Sequence, residues 1–301
     1  MKTTITTILA LMACTVAFSA CTRELIEEPV NERPVLPGLR TMTFTAVQEK
    51  QDSTTKAAID GRDIKWSKSD ALSVFDGTGN RKFTLVGEGG STSGTFIGSA
   101  AEACAYYAIY PDTETATLNG SKIEGAVLPV TQSATAGSAD PAAMLMMATS
   151  TDAKTLSFKN VCAYVKVKPV FDCSRIVLKS KGYEKLAGTV KLDYNDGAPT
   201  AEGTADGTNS VTLDGTITSG STYYIAALPQ TLESGFAVRF RIDGVDYEKG
   251  STKTLGLTRN RIMDLGSFQF SDLTIISPLL TVFSDAITGD TDPITGYGIG
   301  W

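Results

Sequence analysis

The sequence predicts an all-β protein built from β-sandwiches, and three observations support this fold class. From Thr41 onward, apolar and polar residues alternate with a period of two, which is typical of half-buried strands. Turn sequences such as residues 76–80 separate these runs at short intervals. Only residues 139–148 have a helical composition, and their methionines are interpreted as core residues. Many short strands joined by tight turns bury their inner faces as two packed sheets.

The first 20 residues are typical of a secretory signal peptide. Lys2 gives a basic start, residues 8–13 form an apolar core too short to cross a bilayer, and small residues precede Cys21. Cleavage before Cys21 would make it the lipid-bearing end of a bacterial lipoprotein. The sequence therefore predicts a lipid anchor and a place outside the cytoplasm. Cys14 is an earlier candidate with a shorter apolar core, and an ordinary signal peptide is the other alternative.

Residues 21–40 are interpreted as a tether between the lipid and the folded part of the chain. They are acidic and contain proline at positions 29, 34 and 37. Because proline removes backbone donors and favours extended conformations, this segment suits a spacer.

The strands that follow are predicted to have one buried and one wet face. In the first strand, Met42, Phe44 and Ala46 lie on one side and Thr41, Thr43 and Thr45 on the other. Residues 161–168 and 236–242 show the same alternation, with solvent predicted on one side of each.

Two related folded units are favoured over one large sandwich. Residues 106–111 resemble residues 223–229, since each is an apolar strand ended by proline. With a boundary near residues 169–172, the predicted domains are an N-terminal β-sandwich over 41–170 and a C-terminal β-sandwich over 171–272. An apolar extension over 273–301 follows.

Composition excludes several classes of function. The formal net charge of −6 argues against binding of nucleic acid, which needs a basic surface. The chain contains no histidine, so serine or cysteine catalysis through histidine and histidine-ligated zinc are excluded. Carboxylate, lysine or serine-lysine mechanisms remain open, but no catalytic residue and no cofactor are predicted.

The remaining candidate sites are weak. Cys104, Cys162 and Cys173 are an odd number for a disulfide framework and are interpreted as buried thiols. Residues 193–197 and 290–292 are oxygen-rich, but neither matches a complete calcium loop, and a hairpin turn explains the first without metal. The glycine-rich residues 87–98 lack the ending of a phosphate loop.

Aromatic residues offer an alternative function as a sugar-stacking platform. The candidates are Trp66, Tyr106, Tyr107, Tyr110, Tyr223 and Tyr224. Their place in alternating strands favours a role in the core. A surface glycan-binding lipoprotein is therefore kept as the alternative function, and a hydrolase with two facing carboxylates is a third.

A series of short motifs runs through the chain in a defined order. They are residues 64–75 (IKWSKSDALSVF), 82–83 (KF), 94–98 (GTFIG), 107–111 (YAIYP), 128–132 (LPVTQ), 158–160 (FKN), 186–188 (LAG), 224–230 (YIAALPQ) and 257–261 (LTRNR). Their order and spacing resemble those of the fimbrillin family, the lipoprotein pilins of type V pili in Gram-negative anaerobes.

The resemblance implies two transthyretin-like β-sandwich domains in tandem and a structural or anchoring role in a cell-surface fimbria that contributes to adhesion. Its implied partners are other fimbrillin subunits, outer-membrane lipid held through Cys21, and host or bacterial surface ligands, with the chain exposed at the cell surface. Fimbrillins assemble by donor-strand exchange: an arginine-specific protease removes an N-terminal strand, and the vacated groove accepts a C-terminal strand from a neighbour. The bond between Arg40 and Thr41 is the expected processing site, because Arg33 is followed by Pro34.

The expected donor strand lies in residues 273–283 or in the stretch that ends at Trp301. This region is apolar and almost uncharged through Phe283. Its candidate side chains are Leu273, Ile275, Ile276, Leu279, Leu280, Val282 and Phe283. Pro278 interrupts this strand, and the prolines before Arg40 disfavour a strand there, which suits an anchor or accessory member. The alternative is that residues 273–301 close their own domain.

Overall fold

The computed structural model describes residues 38–49 and 65–276, and nearly all regular structure within them is β-strand. The predicted all-β class is confirmed. The strands of the first half are β1 (Arg40–Gln48), β2 (Ala71–Phe75), β3 (Asn80–Leu85), β4 (Ser93–Ala100), β5 (Tyr106–Tyr110), β6 (Thr117–Asn119), β7 (Lys122–Leu128), β8 (Thr131–Ser133), β9 (Met146–Ser150) and β10 (Thr155–Asn160). Those of the second half are β11 (Ala163–Pro169), β12 (Cys173–Ser180), β13 (Gly188–Asn195), β14 (Ala198–Gly203), β15 (Ser210–Ile217), β16 (Tyr223–Ala227), β17 (Gln230–Leu232), β18 (Phe236–Ile242), β19 (Val245–Ser251), β20 (Leu255–Leu257), β21 (Ile262–Phe268) and β22 (Thr274–Ile275).

Seven strands close into a barrel in the order β1-β10-β9-β5-β2-β3-β4. β1 runs antiparallel to β4, with Arg40 opposite Ala100, and parallel to β10, with Thr45 opposite Thr155. Burial alternates along β1 as the sequence predicts, since the side chains from Met42 to Gln48 at every second position are buried. Because β1 is paired on both sides, the wall of the barrel has no free edge there.

Aromatic rings fill the interior of the barrel. The indole of Trp66 lies edge-on against Phe96, Tyr110 and Phe158, with ring centroids 5.0, 5.2 and 5.8 Å away. These edge-to-face contacts are the favoured arrangement of buried rings. Of the aromatic candidates, five are buried: Trp66, Tyr106, Tyr110, Tyr223 and Tyr224. Tyr107 is half-buried and packs against the same core, so the predicted core role is confirmed.

The other strands form four smaller sheets. Their orders are β16-β11-β21, β22-β19-β18-β12-β15-β8, β14-β13-β7-β6 and β17-β20. Residues 117–133 contribute to them, because β7 pairs antiparallel with β13 and β8 pairs parallel with β15. Strand pairing therefore crosses the boundary expected near residues 169–172, and the domain limits stay a prediction.

One edge of the three-stranded sheet is covered by a side chain instead of a strand. The amide of Gln132 is buried, and its Nε2 donates to the carbonyl of Ala226 at 2.8 Å. The backbone N–H of Ala226 donates back to Oε1 of Gln132 at 3.0 Å. The two bonds satisfy both backbone groups of Ala226, as a residue of a neighbouring strand would.

Two predictions of local structure are wrong. Residues 139–148 are not helical: a short 3-10 turn spans Pro141–Ala143, and Met146 already belongs to β9. The first residues of β9 are buried on both faces, so the sequence there reads as an unbroken apolar run that resembles a helix. Cys162, just before β11, and Tyr164 and Ala237, on the predicted wet sides of β11 and β18, are buried, whereas Lys166 and Lys168 of β11 are half-buried.

Candidate functional site

The predicted processing site lies at the start of the barrel wall. Arg40 is the first residue of β1, its side chain is 53% exposed, and its guanidinium lies 3.3 Å from the Glu102 carboxylate. Thr41 is exposed and paired with Ser99 of β4. Cleavage between Arg40 and Thr41 would leave the remainder of β1 in place.

The first residues of the predicted donor strand lie at an edge of the six-stranded sheet. β22 pairs antiparallel with β19, where Ile275 stands opposite Tyr247 and is 55% exposed. Ile276 continues the contact, since its N–H donates to the carbonyl of Asp246 at 2.8 Å. Leu273 is half-buried against the core. Within residues 273–276 the chain therefore adds a short strand to its own sheet.

Several predicted residues lie outside the described part of the chain. They are Cys21, the donor candidates Leu279, Leu280, Val282 and Phe283, and the oxygen-rich residues 290–292. Their roles stay predictions.

Uncharged side chains cover part of the outer wall of the barrel, between Lys82 on β3 and Lys159 on β10, and we name this patch the hydroxyl face. Its residues are Thr41, Thr43, Thr45 and Val47 on β1, Ser93, Thr95, Ile97 and Ser99 on β4, Thr84 and Val86 at β3, and Thr155 and Ser157 on β10. All are exposed except Ser99, which is half-buried. Their inward-pointing neighbours, such as Phe44 and Phe96, are buried in the barrel.

The outer surface of the six-stranded sheet has the opposite character, and we name it the ion-paired face. Its residues are Arg175, Arg239, Arg241, Asp214, Asp246 and Glu248. Cross-strand pairs join Arg175 to Asp214 at 3.0 Å and Arg239 to Glu248 at 2.7 Å. Neutralisation by partners on neighbouring strands keeps this face polar and solvated.

A buried carboxylate ties the ends of the barrel strands together. The Asp76 side chain is fully buried and accepts hydrogen bonds from the N–H groups of Thr78, Gly79 and Ala101 and from the Arg81 guanidinium. Burial raises the pKa of Asp76, but these hydrogen bonds outweigh it and lower the pKa to about 2. Asp76 is therefore ionised, and its role is to hold the ends of the barrel strands together.

A second buried cluster connects the barrel to the loop between β20 and β21. Arg259 donates to both carboxylate oxygens of Glu49 at 2.6 and 3.1 Å and to the carbonyl of Asn160 at 2.8 Å. Asn160 also donates through its side chain to Asn260 at 2.7 Å. Burial raises the pKa of Glu49, but the hydrogen bonds and charge of Arg259 outweigh it and lower the pKa below its ordinary value. The motif at residues 257–261 thus acts as a structural clamp.

Two carboxylates line one surface cleft, which bears on the hydrolase alternative. Asp70 and Asp112 both line it, along with Tyr110 and Lys82. Both carboxylates are already engaged: Asp70 accepts from the Tyr110 hydroxyl at 3.1 Å, and Asp112 lies 2.9 Å from the Lys82 ammonium. Burial, together with the charge of Asp70, raises the pKa of Tyr110. These contacts give the two acids a structural role in the cleft.

The cysteines and the first oxygen-rich segment have structural explanations. Cys162 and Cys173 are buried, and burial raises the pKa of each thiol to about 12. Cys104 is exposed, so its predicted burial is wrong, because residues 101–105 form a surface loop after β4. In residues 193–197, Asp196 and Gly197 have positive φ angles of 51° and 75° and form the tight turn between β13 and β14.

Sequence reasoning missed the hydroxyl face. The alternation of threonine at positions 41, 43 and 45 was visible, and it indicated a solvent-facing side. The residues on β3, β4 and β10 are distant in sequence, and only the barrel pairing brings them beside β1.

Searches with the sequence found no matching protein-family model and no matching curated protein. Solved structures do match. The fold resembles that of a protein from Bacteroides uniformis provisionally assigned to cell adhesion. The two share 15% sequence identity and a TM-score of 0.50, over 78% of this chain and 95% of that one. This similarity supports the fold that the sequence predicts.

Two further solved structures are more distant. One, from Bacteroides ovatus and also provisionally assigned to cell adhesion, has 14% identity and a TM-score of 0.46, over 79% of this chain and 95% of that one. The other is a fimbrial protein from Bacteroides ovatus with 11% identity and a TM-score of 0.34, over 80% of this chain and 54% of that one. Among the described residues, no helix has the length and apolar character needed to span a membrane.

Proposed function

We propose that this chain is a structural subunit or anchor of a cell-surface fimbria and contributes to adhesion. The observation that carries the proposal is the fold shared with a protein assigned to cell adhesion, over 78% of this chain and 95% of that one. The lipoprotein-like N-terminus and the order of the fimbrillin-like motifs support the same role.

Assembly is proposed to use an added strand. The barrel is closed around β1, so an incoming strand would find free backbone groups in the smaller sheets, whose end strands are paired on one side only within residues 38–49 and 65–276. β22 covers only two positions of β19, and the apolar residues that follow it in sequence are the proposed donor. Processing between Arg40 and Thr41 is proposed to follow fraying of the first ladder pairs of β1, because a protease needs the bond unpaired.

Trimming with an arginine-specific protease tests this assembly mode. Protein purified from cells that produce the full chain should acquire an N-terminus at Thr41 and then form oligomers that survive in SDS. An Arg40→Gln variant should resist trimming at this bond and stay monomeric, whereas Arg33→Gln, the matched control, should behave as the wild type. A variant that ends at Ile276 should be trimmed but should not polymerise.

The decisive measurement is the oligomeric state of the trimmed protein. A wild-type protein that is cut at Arg40 and remains monomeric would contradict strand exchange. Immunogold electron microscopy of cells with and without the protein tests the wider role, since gold should decorate surface filaments only in the producing cells. Labelling confined to the cell envelope, with filaments unlabelled, would contradict a place in the fimbria.

The glycan-binding alternative loses its main support. Five of its six candidate aromatics are buried and the sixth is half-buried, so these side chains offer no platform on which a sugar could stack.

A further inference from the structure

We infer that Asn119 is a site of spontaneous chemical modification, where the side-chain amide is lost and aspartate or isoaspartate forms. The site lies at the turn of the β6–β7 hairpin. The reaction needs only water and involves neither the donor strand nor the processing site. It is therefore independent of the proposed fimbrial function and can be tested separately.

The sequence at this position is the one in which the reaction meets least resistance. Asparagine is a chemically labile residue, and the backbone nitrogen of the residue that follows it is the nucleophile. Glycine has no Cβ, so it leaves this nitrogen the most room and the most backbone freedom. Asn119 precedes Gly120, and no other asparagine of the sequence precedes a glycine. The space around Gly120 is open, since a Cβ added there would meet no atom within 4 Å.

The reaction is a cyclisation followed by hydrolysis. The backbone nitrogen of Gly120 loses its proton to solvent and attacks Cγ of Asn119, which closes a succinimide ring. The Cγ–Nδ2 bond breaks, and Nδ2 takes up a proton and leaves as ammonia. One water then opens the ring: aspartate results when the new bond to Cγ breaks, and isoaspartate when the original peptide bond breaks. In sum, asparagine and water give aspartate or isoaspartate and ammonia, without any oxidation or reduction.

The β6–β7 hairpin leaves both reacting groups free. Asn119 is the last residue of β6 and is exposed, and it pairs with Lys122 across a turn of two residues. The first turn residue, Gly120, has a φ of 63°, as such a hairpin requires. Within residues 38–49 and 65–276, neither the side-chain amide of Asn119 nor the backbone N–H of Gly120 has a hydrogen-bond partner.

The hairpin also lies where the backbone can move. Asn119 is in an extended strand, so ring closure requires a local rotation that brings its Cγ towards the nitrogen of Gly120. β6 is the end strand of the sheet β14-β13-β7-β6, pairs through three residues and contains no fully buried side chain. An end strand with so few contacts opens at low cost in free energy, so the rotation is accessible in the folded protein.

The other asparagines that the structure describes are held by hydrogen bonds. They are Asn80, Asn160, Asn195, Asn209 and Asn260, and each is bonded through its side chain. A bonded amide has to break its hydrogen bond before it can rotate towards the backbone nitrogen. The fold therefore directs the reaction to Asn119.

The two products should differ in their effect on the hairpin. Aspartate at position 119 places a carboxylate opposite Lys122, and opposite charges on paired strands are tolerated. Isoaspartate adds a methylene to the main chain, which disturbs a hairpin whose register is set by a turn of two residues. Leu118 is only half-buried, so we expect the rest of the sheet to remain folded when β6 loosens.

Incubation of the full-length protein in mildly alkaline buffer tests the inference. Trypsin releases residues 83–122 as one peptide. Mass spectrometry should show that this peptide has exchanged an amino group for a hydroxyl group, and chromatography should separate its aspartate and isoaspartate forms. In heavy-oxygen water the products should carry the label, because water opens the ring. The loss should be at least about tenfold faster at Asn119 than at Asn80 or Asn209 in the same digest, since those two amides are bonded.

Two variants separate the effect of the hairpin from that of the dipeptide. Asn119→Gln should leave the peptide unmodified, because a longer side chain would have to close a larger ring. Ser210→Gly is the matched control: it places a glycine after Asn209, whose amide donates to the carbonyls of Ser180 and Gly182. Asn209 in this variant should stay intact in the folded protein and react after unfolding in urea. Circular dichroism should show that both variants are folded in buffer.

Two results would overturn the inference. One is an intact Asn119 in the folded wild type under conditions in which the isolated tryptic peptide reacts, since the hairpin would then protect the site. The other is a reaction at Asn209 in the folded Ser210→Gly variant that is as fast as that at Asn119, since the free amide of the hairpin would then not select the site. Neither result involves assembly, so both leave the proposed fimbrial role standing.

Discussion

The barrel wall and the six-stranded sheet present opposite surfaces to solvent. The hydroxyl face consists of uncharged side chains flanked by Lys82 and Lys159, whereas the ion-paired face carries three arginines with acidic partners on neighbouring strands. The barrel is closed, and the six-stranded sheet ends at the short strands β22 and β8.

The difference shows how topology sets what a sheet surface can carry. An open sheet risks pairing with other chains at its edges, and charges on its outer face oppose that association. A closed barrel has no such edge, so a patch of its wall can stay uncharged without inviting strand addition. The carboxylate on which the barrel depends is buried, as Asp76 shows.

Removal of the Asp76 carboxylate should give the largest effect. Asp76→Ala leaves Arg81 and the N–H of Ala101 without their partner in a buried place, so we expect a loss of about 3–5 kcal/mol in the free energy of unfolding. Asp214→Ala on the ion-paired face is the control and should cost less than about 1 kcal/mol. Urea denaturation followed by fluorescence measures both free energies of unfolding. Equal losses would show that the buried Asp76 carboxylate contributes no more stability than the exposed Asp214 carboxylate.

Lowering the pH should remove the stability that the ionised Asp76 carboxylate contributes. The pKa of Asp76 is lowered from 3.8 to about 2 in the folded protein, so its ionised form contributes stability above the unfolded value. That contribution, about 2 kcal/mol, should be lost as the pH falls from about 4 through about 2.

An Asp76→Asn variant provides the reference for the acid measurement. It should be less stable at pH 7, but its stability should fall less steeply over the acid range because position 76 no longer titrates. Urea midpoints at several pH values measure the slopes. Equal slopes of the urea midpoint against pH for the wild type and the variant would show that Asp76 does not cause the loss of stability in acid.

The smallest expected difference is between the coupling energies of two ion pairs. A double-mutant cycle of Glu49→Gln with Arg259→Met should give a coupling of about 1.5–3 kcal/mol, because this charged bidentate pair is mostly buried. The cycle of Asp214→Asn with Arg175→Met should give about 0–1 kcal/mol, since both side chains are 40% or more exposed. Added salt should weaken only the coupling between Asp214 and Arg175. Equal coupling energies would contradict the idea that the Glu49–Arg259 pair stabilises the fold more than a surface ion pair does.

The parts of the fold that the sequence predicts well are those with one wet face. β1 alternates as expected because the barrel buries one side and solvent covers the other. β9 is predicted poorly because neighbours bury both of its sides, so the pattern of period two disappears. β11 keeps that pattern, but Tyr164 on its predicted wet side is buried, which the alternation alone does not show.

The residues of the candidate site also fall into those that local sequence predicts and those that it does not. Arg40 and residues 273–276 can be identified from local sequence, and the structure places them at a strand start and a sheet edge. The hydroxyl face and the Glu49–Arg259 clamp join residues far apart in the chain, such as the clamp residues at positions 49 and 259. Only pairing of distant strands reveals them.

The pairing of β1 also determines how this molecule would bear a mechanical load. A pull on Arg40 along the strand axis stretches the ladder to β4 in shear, so that many bonds share the force before any one breaks. A pull across the strand would open them one after another. If the N-terminus is anchored as the sequence predicts, tension would enter the barrel at the proposed cleavage point, and cutting there would free the folded chain from that tension.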